Sequence, residues 1–146
     1  MSNNWIYKNQ EITIENIESI GINPIGFVYL ITNKISNKKY VGRKLIKKTV
    51  IRTIDKKRKK TTILDNKFID YYSSSSELQK DVENLKKDNF IREILHFCHS
   101  KVELNYLEEK EQYSRSVLED ENYYNNNIRS KYYKKIILNK VKNKSV

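Results

Sequence analysis

The chain contains a single cysteine, a single proline and only three glycines among its 146 residues. One cysteine, Cys98, excludes an internal disulfide and fits a reducing compartment, so we expect a soluble protein of the cytoplasm (of the host cell, if a phage encodes it). No stretch approaches the roughly 18 consecutive apolar residues that a membrane span needs. Residues 96–99 include three potential metal ligands, but no second cluster completes the usual four-ligand zinc site.

Acidic residues are scarce in two stretches, where much of the positive charge is concentrated. Residues 34–60 hold thirteen Lys or Arg and one acid, Asp55, and residues 129–146 hold seven more with no acid. The net charge is +11. Segregated positive charge favours a nucleic-acid partner, bound through release of counterions from phosphates. The competing interpretation is that these lysines only keep the protein soluble.

The hydrophobic pattern predicts one domain with a modest core. Residues 26–32 and 38–43 read as two strands joined by a polar turn. Residues 89–98 read as a third strand, and residues 101–118 as a long helix. Another helix should follow the serines at 73–76 and reach about Lys87, with Ser74 and Glu77 at capping-box spacing.

The remaining segments are less regular. Residues 45–54 could form a helix, and residues 56–60 look like an exposed loop. We therefore divide the chain into an N-terminal lead-in (1–25), a central domain (26–128) and a basic tail (129–146).

One carboxylate on the long helix stands out. Leu104, Leu107, Glu111 and Leu118 follow helical spacing and share a face that is otherwise apolar. A buried glutamate is usually paired or bound to a metal. Two plainer interpretations remain: Glu111 pairs with Arg115 one turn later, or it belongs to a solvated acidic run over 108–111.

Two tyrosines mark the hairpin. Tyr29 and Tyr40 lie near the middle of neighbouring strands, and a strand glycine such as Gly42 often marks the close approach of a ligand. Arg43 and Lys44 follow at once. Positive charge beside a phenol stabilises the phenolate and lowers its pKa, which suits a phosphate site. Alternatively, both tyrosines are ordinary half-buried strand aromatics.

The sequence Gly26-Phe27-Val28-Tyr29, followed by Tyr40-Val41-Gly42, resembles the paired signature of the GIY-YIG nucleases. The later elements fall in that family's order, including Glu111-Gln112-Tyr113 on the helix and Tyr124-Asn125 near its end. The resemblance implies an α+β fold in which a small three-stranded antiparallel sheet is flanked by helices. It also implies an endonuclease that hydrolyses phosphodiester bonds with one divalent ion, Mg²⁺ or Mn²⁺.

In that family one helix glutamate binds the metal, which here implies Glu111. Tyr29 or Tyr40 would be the general base. The phosphate-binding arginine is not in its usual place, so we expect Arg43 and Lys44 to fill this role jointly, with Arg52 in reserve. Further DNA contacts are expected from Lys38, Lys39, Lys47, Lys48, Arg52 and Asn125.

These inferences predict a partner of double-stranded DNA, no membrane, and a monomer or a homodimer on DNA. A homing, restriction or phage nuclease would all fit a basic chain of this size. The alternative is a non-catalytic nucleic-acid-binding module on the same scaffold, which would bind DNA in a salt-sensitive manner without cutting it. A basic accessory protein of a ribonucleoprotein is a weaker third hypothesis.

Overall fold

A computed structural model describes residues 3–144, with side chains as far as Lys140. Over these residues the fold is α+β, with a mixed five-stranded sheet, two small two-stranded sheets and four α-helices. The strands are β1 (Trp5–Tyr7), β2 (Gln10–Ile12), β3 (Gly26–Asn33), β4 (Lys39–Leu45), β5 (Lys47–Ile54), β6 (Lys57–Leu64), β7 (Phe90–Cys98), β8 (Asn127–Ile128) and β9 (Tyr132–Tyr133). The helices are α1 (Ile17–Ile20), α2 (Ser76–Leu85), α3 (Lys101–Ser114) and α4 (Lys134–Lys144).

The central sheet has the strand order β2-β1-β7-β3-β4. Strand β3 pairs antiparallel with both β4 and β7, and β1 pairs parallel with β7. Every residue of β3 but one is buried, as expected for a central strand rich in β-branched and aromatic residues. The hairpin and the third strand are therefore confirmed, but a sheet of only three strands is too small.

The N-terminal lead-in supplies the two additional strands. Trp5 is fully buried and packs edge-on against Phe27 and Tyr29, with ring centroids 4.8 and 5.2 Å apart. The proposed boundary after residue 25 would cut through this sheet. The lead-in was misjudged because its strands are only three residues long, which gives little periodicity to detect.

The basic segment after β4 forms a hairpin, so the helix suggested for residues 45–54 is wrong. Asp55 and Lys56 form its two-residue turn, and both have positive φ, 51° and 64°. Such turns match the right-handed twist of the paired strands. The β-branched residues of 49–54 and 61–63 were the signal for strands.

Helix α2 begins one residue later than the capping-box spacing suggested. Ser75 is the cap, because its Oγ accepts a hydrogen bond from the Leu78 amide. Helix α3 begins at Lys101 after its cap Ser100 and ends at Ser114. The tail forms β9 and α4, and Ile137 of α4 packs against the core beneath α3.

The sheet separates two apolar clusters. One contains Trp5, Tyr29 and residues of α2, and the other contains Val28, Val41 and Leu104 of α3. Side chains that alternate along β3 therefore enter different layers. None of the helices within residues 3–144 is long and apolar enough to cross a membrane.

Candidate active site

A polar cleft lies along the outer edge of β4. Tyr29 pairs in register with Gly42, and the ring centroids of Tyr29 and Tyr40 are 6.1 Å apart. A Cβ atom at position 42 would lie 2.5 Å from the Tyr29 hydroxyl and 2.8 Å from the Tyr40 ring. Glycine is thus required here because the two phenols cross the space that any side chain would fill.

Two more residues that sequence reasoning did not identify complete this side of the cleft. Tyr71 packs edge-on against Tyr29 with ring centroids 6.0 Å apart, and the Lys44 ammonium lies 4.3 Å from the centre of the Tyr71 ring. Ser74 Oγ lies 3.4 Å from the Tyr40 hydroxyl. Both residues come from the segment leading into α2, and no pattern in the sequence predicts that this segment lies beside β4.

Burial dominates the titration of the tyrosine pair. It holds the pKa of Tyr29 well above the ordinary value, with further increases from Tyr40 and Tyr71. Burial likewise raises the pKa of Tyr40, although the Ser74 hydrogen bond partly opposes this. The neighbouring cations were expected to lower both pKa values, but burial shifts both in the opposite direction.

The carboxylate that enters this cleft belongs to Glu108 of α3. Its Oε1 lies 3.5 Å from Arg43 Nε, and its side chain is 21% exposed. Burial raises the pKa of Glu108 to about 7, and the nearby Arg43 guanidinium opposes this shift without cancelling it. The cleft therefore combines an incompletely compensated carboxylate with two phenols and the cations Arg43 and Lys44.

Glu111 lies in a different place. Its Oε1 is 3.4 Å from His96 Nε2, and its Oε2 accepts a hydrogen bond of 3.2 Å from Arg115 Nε. Arg43 and His96 both pair with Val28, one from each side of β3. They are thus two strand spacings apart, or roughly 10 Å. Glu108 points to the edge strand β4, whereas Glu111 points to β7 on the far side of β3.

Helical spacing also offers a signal for Glu108. Leu104 and Gln112 are both buried, and Glu108 lies midway between them at intervals of four. The spacing of three and four that selected Glu111 describes an adjacent stripe of the same helix. Period alone does not decide which of the two stripes faces the edge of β4 that carries Tyr40 and Arg43.

Asn125 fixes the edge of β4. Its side-chain oxygen accepts a hydrogen bond of 3.0 Å from the Val41 amide, and its nitrogen donates one of 2.8 Å to the Val41 carbonyl. Gln112 donates a second hydrogen bond, of 3.2 Å, to the same carbonyl. Asn125 is buried and its amide is engaged in these bonds, so its side chain supports β4. The residue also lines the cavity that contains Tyr40 and Arg43, and its contact with DNA stays a prediction.

The chain also resembles a known protein family. Residues 5–128 match the family model described as "Putative endonuclease segE, GIY-YIG domain". The chain belongs to the GIY-YIG nuclease family. No curated protein and no solved structure matched it. The family assignment supports nuclease activity in general and therefore a nucleic-acid substrate.

In this member of the GIY-YIG family, the lysines and the arginine expected to contact DNA lie in three different parts of the surface. Lys38 forms an ion pair of 2.8 Å with Glu77. Lys39 lies on β4, where its backbone pairs with the segment around Asn122. The other residues, Lys47, Lys48 and Arg52, lie on the β5–β6 hairpin, where Lys47 is paired with Glu18 and Lys48 and Arg52 are exposed.

The GIY-YIG cleft continues into a second cavity of about 440 Å³. The cavity at the tyrosines is about 300 Å³, and the two share Tyr40, Arg43, Ser74 and Glu108. Across residues 3–144, no three His, Cys, Asp or Glu side chains are grouped as metal ligands. A divalent ion in the cleft would thus be held by the Glu108 carboxylate, with water and substrate oxygens as its other ligands, which is typical of Mg²⁺.

Proposed function

We propose that this protein is a divalent-metal-dependent DNA endonuclease in which Glu108 holds the metal. The observation that carries the proposal is the convergence of Tyr29, Tyr40, Arg43 and Glu108 on one polar cleft. Glu111 is the residue that sequence spacing selected, but its contacts are to His96 and Arg115. A carboxylate with two cationic or hydrogen-bonding partners has less need of a metal than one whose pKa is raised by burial.

The substrate is duplex DNA. Arg43 and Lys44 are the cleft cations, and each can contact the phosphate that is cut: Arg43 through its planar guanidinium and Lys44 as a compact charge. Because Arg43 is also the partner of Glu108, it lies where a phosphate and a metal held by Glu108 would meet. This position supports Arg43 rather than Arg52 as the phosphate-binding arginine.

The reaction is hydrolysis of a phosphodiester. Water attacks phosphorus while the phenolate form of Tyr29 or Tyr40, whose own proton has first passed to solvent, accepts a proton from that water. The bond between phosphorus and the 3′ oxygen breaks, and the 3′ oxygen takes a proton from solvent, leaving a 5′-phosphate and a 3′-hydroxyl. A divalent ion held by Glu108 would supply positive charge that neutralises the phosphate and the leaving oxygen. Tyr29 is buried and Tyr40 is half-buried, which limits the access of bulk water to the pair, and Gly42 leaves room for their hydroxyls.

The two glutamates provide a matched test. Purified wild type, Glu108→Gln and Glu111→Gln would be compared on supercoiled plasmid with Mg²⁺, with Mn²⁺ and with a chelator. We expect metal-dependent nicking or linearisation by wild type, a loss of about 100-fold or more in Glu108→Gln, and substantial activity in Glu111→Gln. If Glu108→Gln cuts as well as wild type while Glu111→Gln is inactive, the metal belongs to Glu111.

The same assay separates an enzyme from a binding module. Salt-sensitive plasmid binding with no cleavage in any divalent metal would contradict the endonuclease proposal. Tyr29→Phe and Tyr40→Phe, each of which keeps the ring and removes the hydroxyl, identify the base. The variant that loses cleavage while it retains DNA affinity lacks the proton acceptor.

A further inference from the structure

The hairpin β5–β6, residues 47–64, is a two-stranded arm that we call the basic ribbon. Its strands pair over eight positions, from Lys47 with Leu64 to Ile54 with Lys57. All of its residues from 51 to 62 are exposed. Eight residues in extended conformation give the basic ribbon a length of about 26 Å.

The basic ribbon carries eight Lys or Arg and one acid. Residues directly opposite in an antiparallel pair share a face, so the register divides the charges. One face carries Lys48, Arg52, Lys57 and Lys59, and the other carries Lys47, Arg58 and Lys60 together with three threonines. At the base of the second face, Lys47 pairs with Glu18 and Leu64 packs against the core, so that face turns toward the body of the protein there.

The charge pattern works against the stability of the basic ribbon itself. Arg52 lies directly opposite Lys59, and like charges at such positions are destabilising. Isolated two-stranded hairpins are marginal in water even without repulsion. A polyanion bound along the ribbon would relieve this repulsion. Binding of a polyanion therefore explains why like charges lie opposite each other here.

The basic ribbon is anchored beside the cleft. Strand β4, which carries Tyr40 and Arg43, leads into β5 through one residue, Ile46. Ile46 is fully buried; its amide donates to the Ile25 carbonyl, and its carbonyl accepts a hydrogen bond of 2.7 Å from the Asp65 amide. These bonds hold both strands at the point where they leave the body, so DNA bound by the ribbon is in reach of the cleft.

We propose that the basic ribbon enters the major groove of duplex DNA next to the bond that is cut. The major groove of B-DNA, about 12 Å wide, admits a two-stranded ribbon, whereas the minor groove is about 6 Å wide and would have to be widened first. The face with Lys48, Arg52, Lys57 and Lys59 provides contacts to phosphates and to guanine edges, and the exposed Ile54 on that face suits a thymine methyl group. The proposal rests on the proposed DNA endonuclease function and adds how the substrate is held.

Matched triple variants test the basic ribbon. Arg52→Gln, Lys57→Gln and Lys59→Gln together remove three charges from one face of the ribbon. Lys34→Gln, Lys80→Gln and Lys101→Gln remove the same charge from exposed positions outside the ribbon and the cleft. Binding to a duplex of about 30 base pairs, roughly three helical turns, would be measured with a chelator present, so that cleavage plays no part.

We expect the ribbon triple to bind at least about 10-fold more weakly than wild type, with a salt dependence lower by about 2–3 in the log–log slope. The control triple should change both quantities far less. Equal losses in the two triples would overturn the proposal, because net charge alone would then explain binding. Wild-type affinity in the ribbon triple would overturn it as well.

Groove choice is tested on modified duplexes. Bulky groups on C5 of the pyrimidines project into the major groove, and they should reduce wild-type affinity to the level of the ribbon triple. A minor-groove ligand should leave wild-type affinity unchanged. The reverse result contradicts insertion into the major groove.

Failure of the two proposals can be told apart. If wild type binds through the ribbon but cuts in no metal, the endonuclease proposal fails and the basic ribbon remains a DNA-binding arm. If cleavage requires Glu108 but the ribbon triple binds like its control, only the ribbon proposal fails.

Discussion

Glu108→Gln should stabilise the metal-free protein above pH 7, although it removes the proposed metal ligand. The folded-state pKa of Glu108 is raised to about 7 from an ordinary 4.5, first by burial. With a raised pKa, the contribution of Glu108 to stability is complete below about pH 4.5 and is lost as the pH rises to about 7. A glutamine does not titrate, so the variant avoids this loss.

The size of the effect follows from the same shift. A difference of one in pKa corresponds to about 1.4 kcal/mol. The change from 4.5 to about 7 therefore corresponds to roughly 3 kcal/mol. This shift already includes the opposing attraction of the Arg43 guanidinium, so no further cost is subtracted for that contact. The gain at pH 8 is therefore about 3 kcal/mol, equivalent to a rise of about 6–12 °C in Tm.

Thermal and urea unfolding at pH 4 and pH 8, both with a chelator, measure this difference. Glu111→Gln is the control, because it removes the negative charge that faces Arg115 while an amide oxygen remains as acceptor, and it should lower stability by no more than about 1 kcal/mol at pH 8. A Glu108→Gln effect of the same size at both pH values would refute the reasoning, since burial would then not control the protonation of Glu108.

Three further predictions concern the residues around the cleft. Gly42→Ala places a Cβ about 2.5 Å from the Tyr29 hydroxyl. We therefore expect a destabilisation of about 1–3 kcal/mol and a strong loss of plasmid cleavage. Cleavage at the wild-type rate would contradict this geometry. Asn125→Ala leaves the buried Val41 amide without its partner, which should cost about 1–3 kcal/mol in urea unfolding, whereas an unchanged midpoint would show that water replaces the side chain. Cys98 is buried and its pKa is raised to about 11, so iodoacetamide at pH 8 should label it only after unfolding, as followed by mass spectrometry.

Much of the fold could be predicted from the sequence, because the patterns that specify its strands and helices lie within single segments. Strand β3 alternates into two apolar layers and is buried almost throughout, so its composition alone predicts a central strand. Strand β7 and helices α2 and α3 have caps or periods within their own segments. The lead-in strands and the β5–β6 hairpin were missed, since three-residue strands show no period and the hairpin is stabilised by its turn and its pairing rather than by a buried face.

The tyrosine pair, the strand glycine beside Tyr40 and the segregation of positive charge could be read from the amino-acid sequence, because each is a property of nearby residues. The sequence also indicated α3 as a helix with candidate glutamates. Their different surroundings come from the tertiary structure: Glu108 and Glu111 are three residues apart on one helix, but β3 separates the strands to which their side chains point. Sheet order, which depends on contacts between distant segments, therefore sets the composition of the cleft.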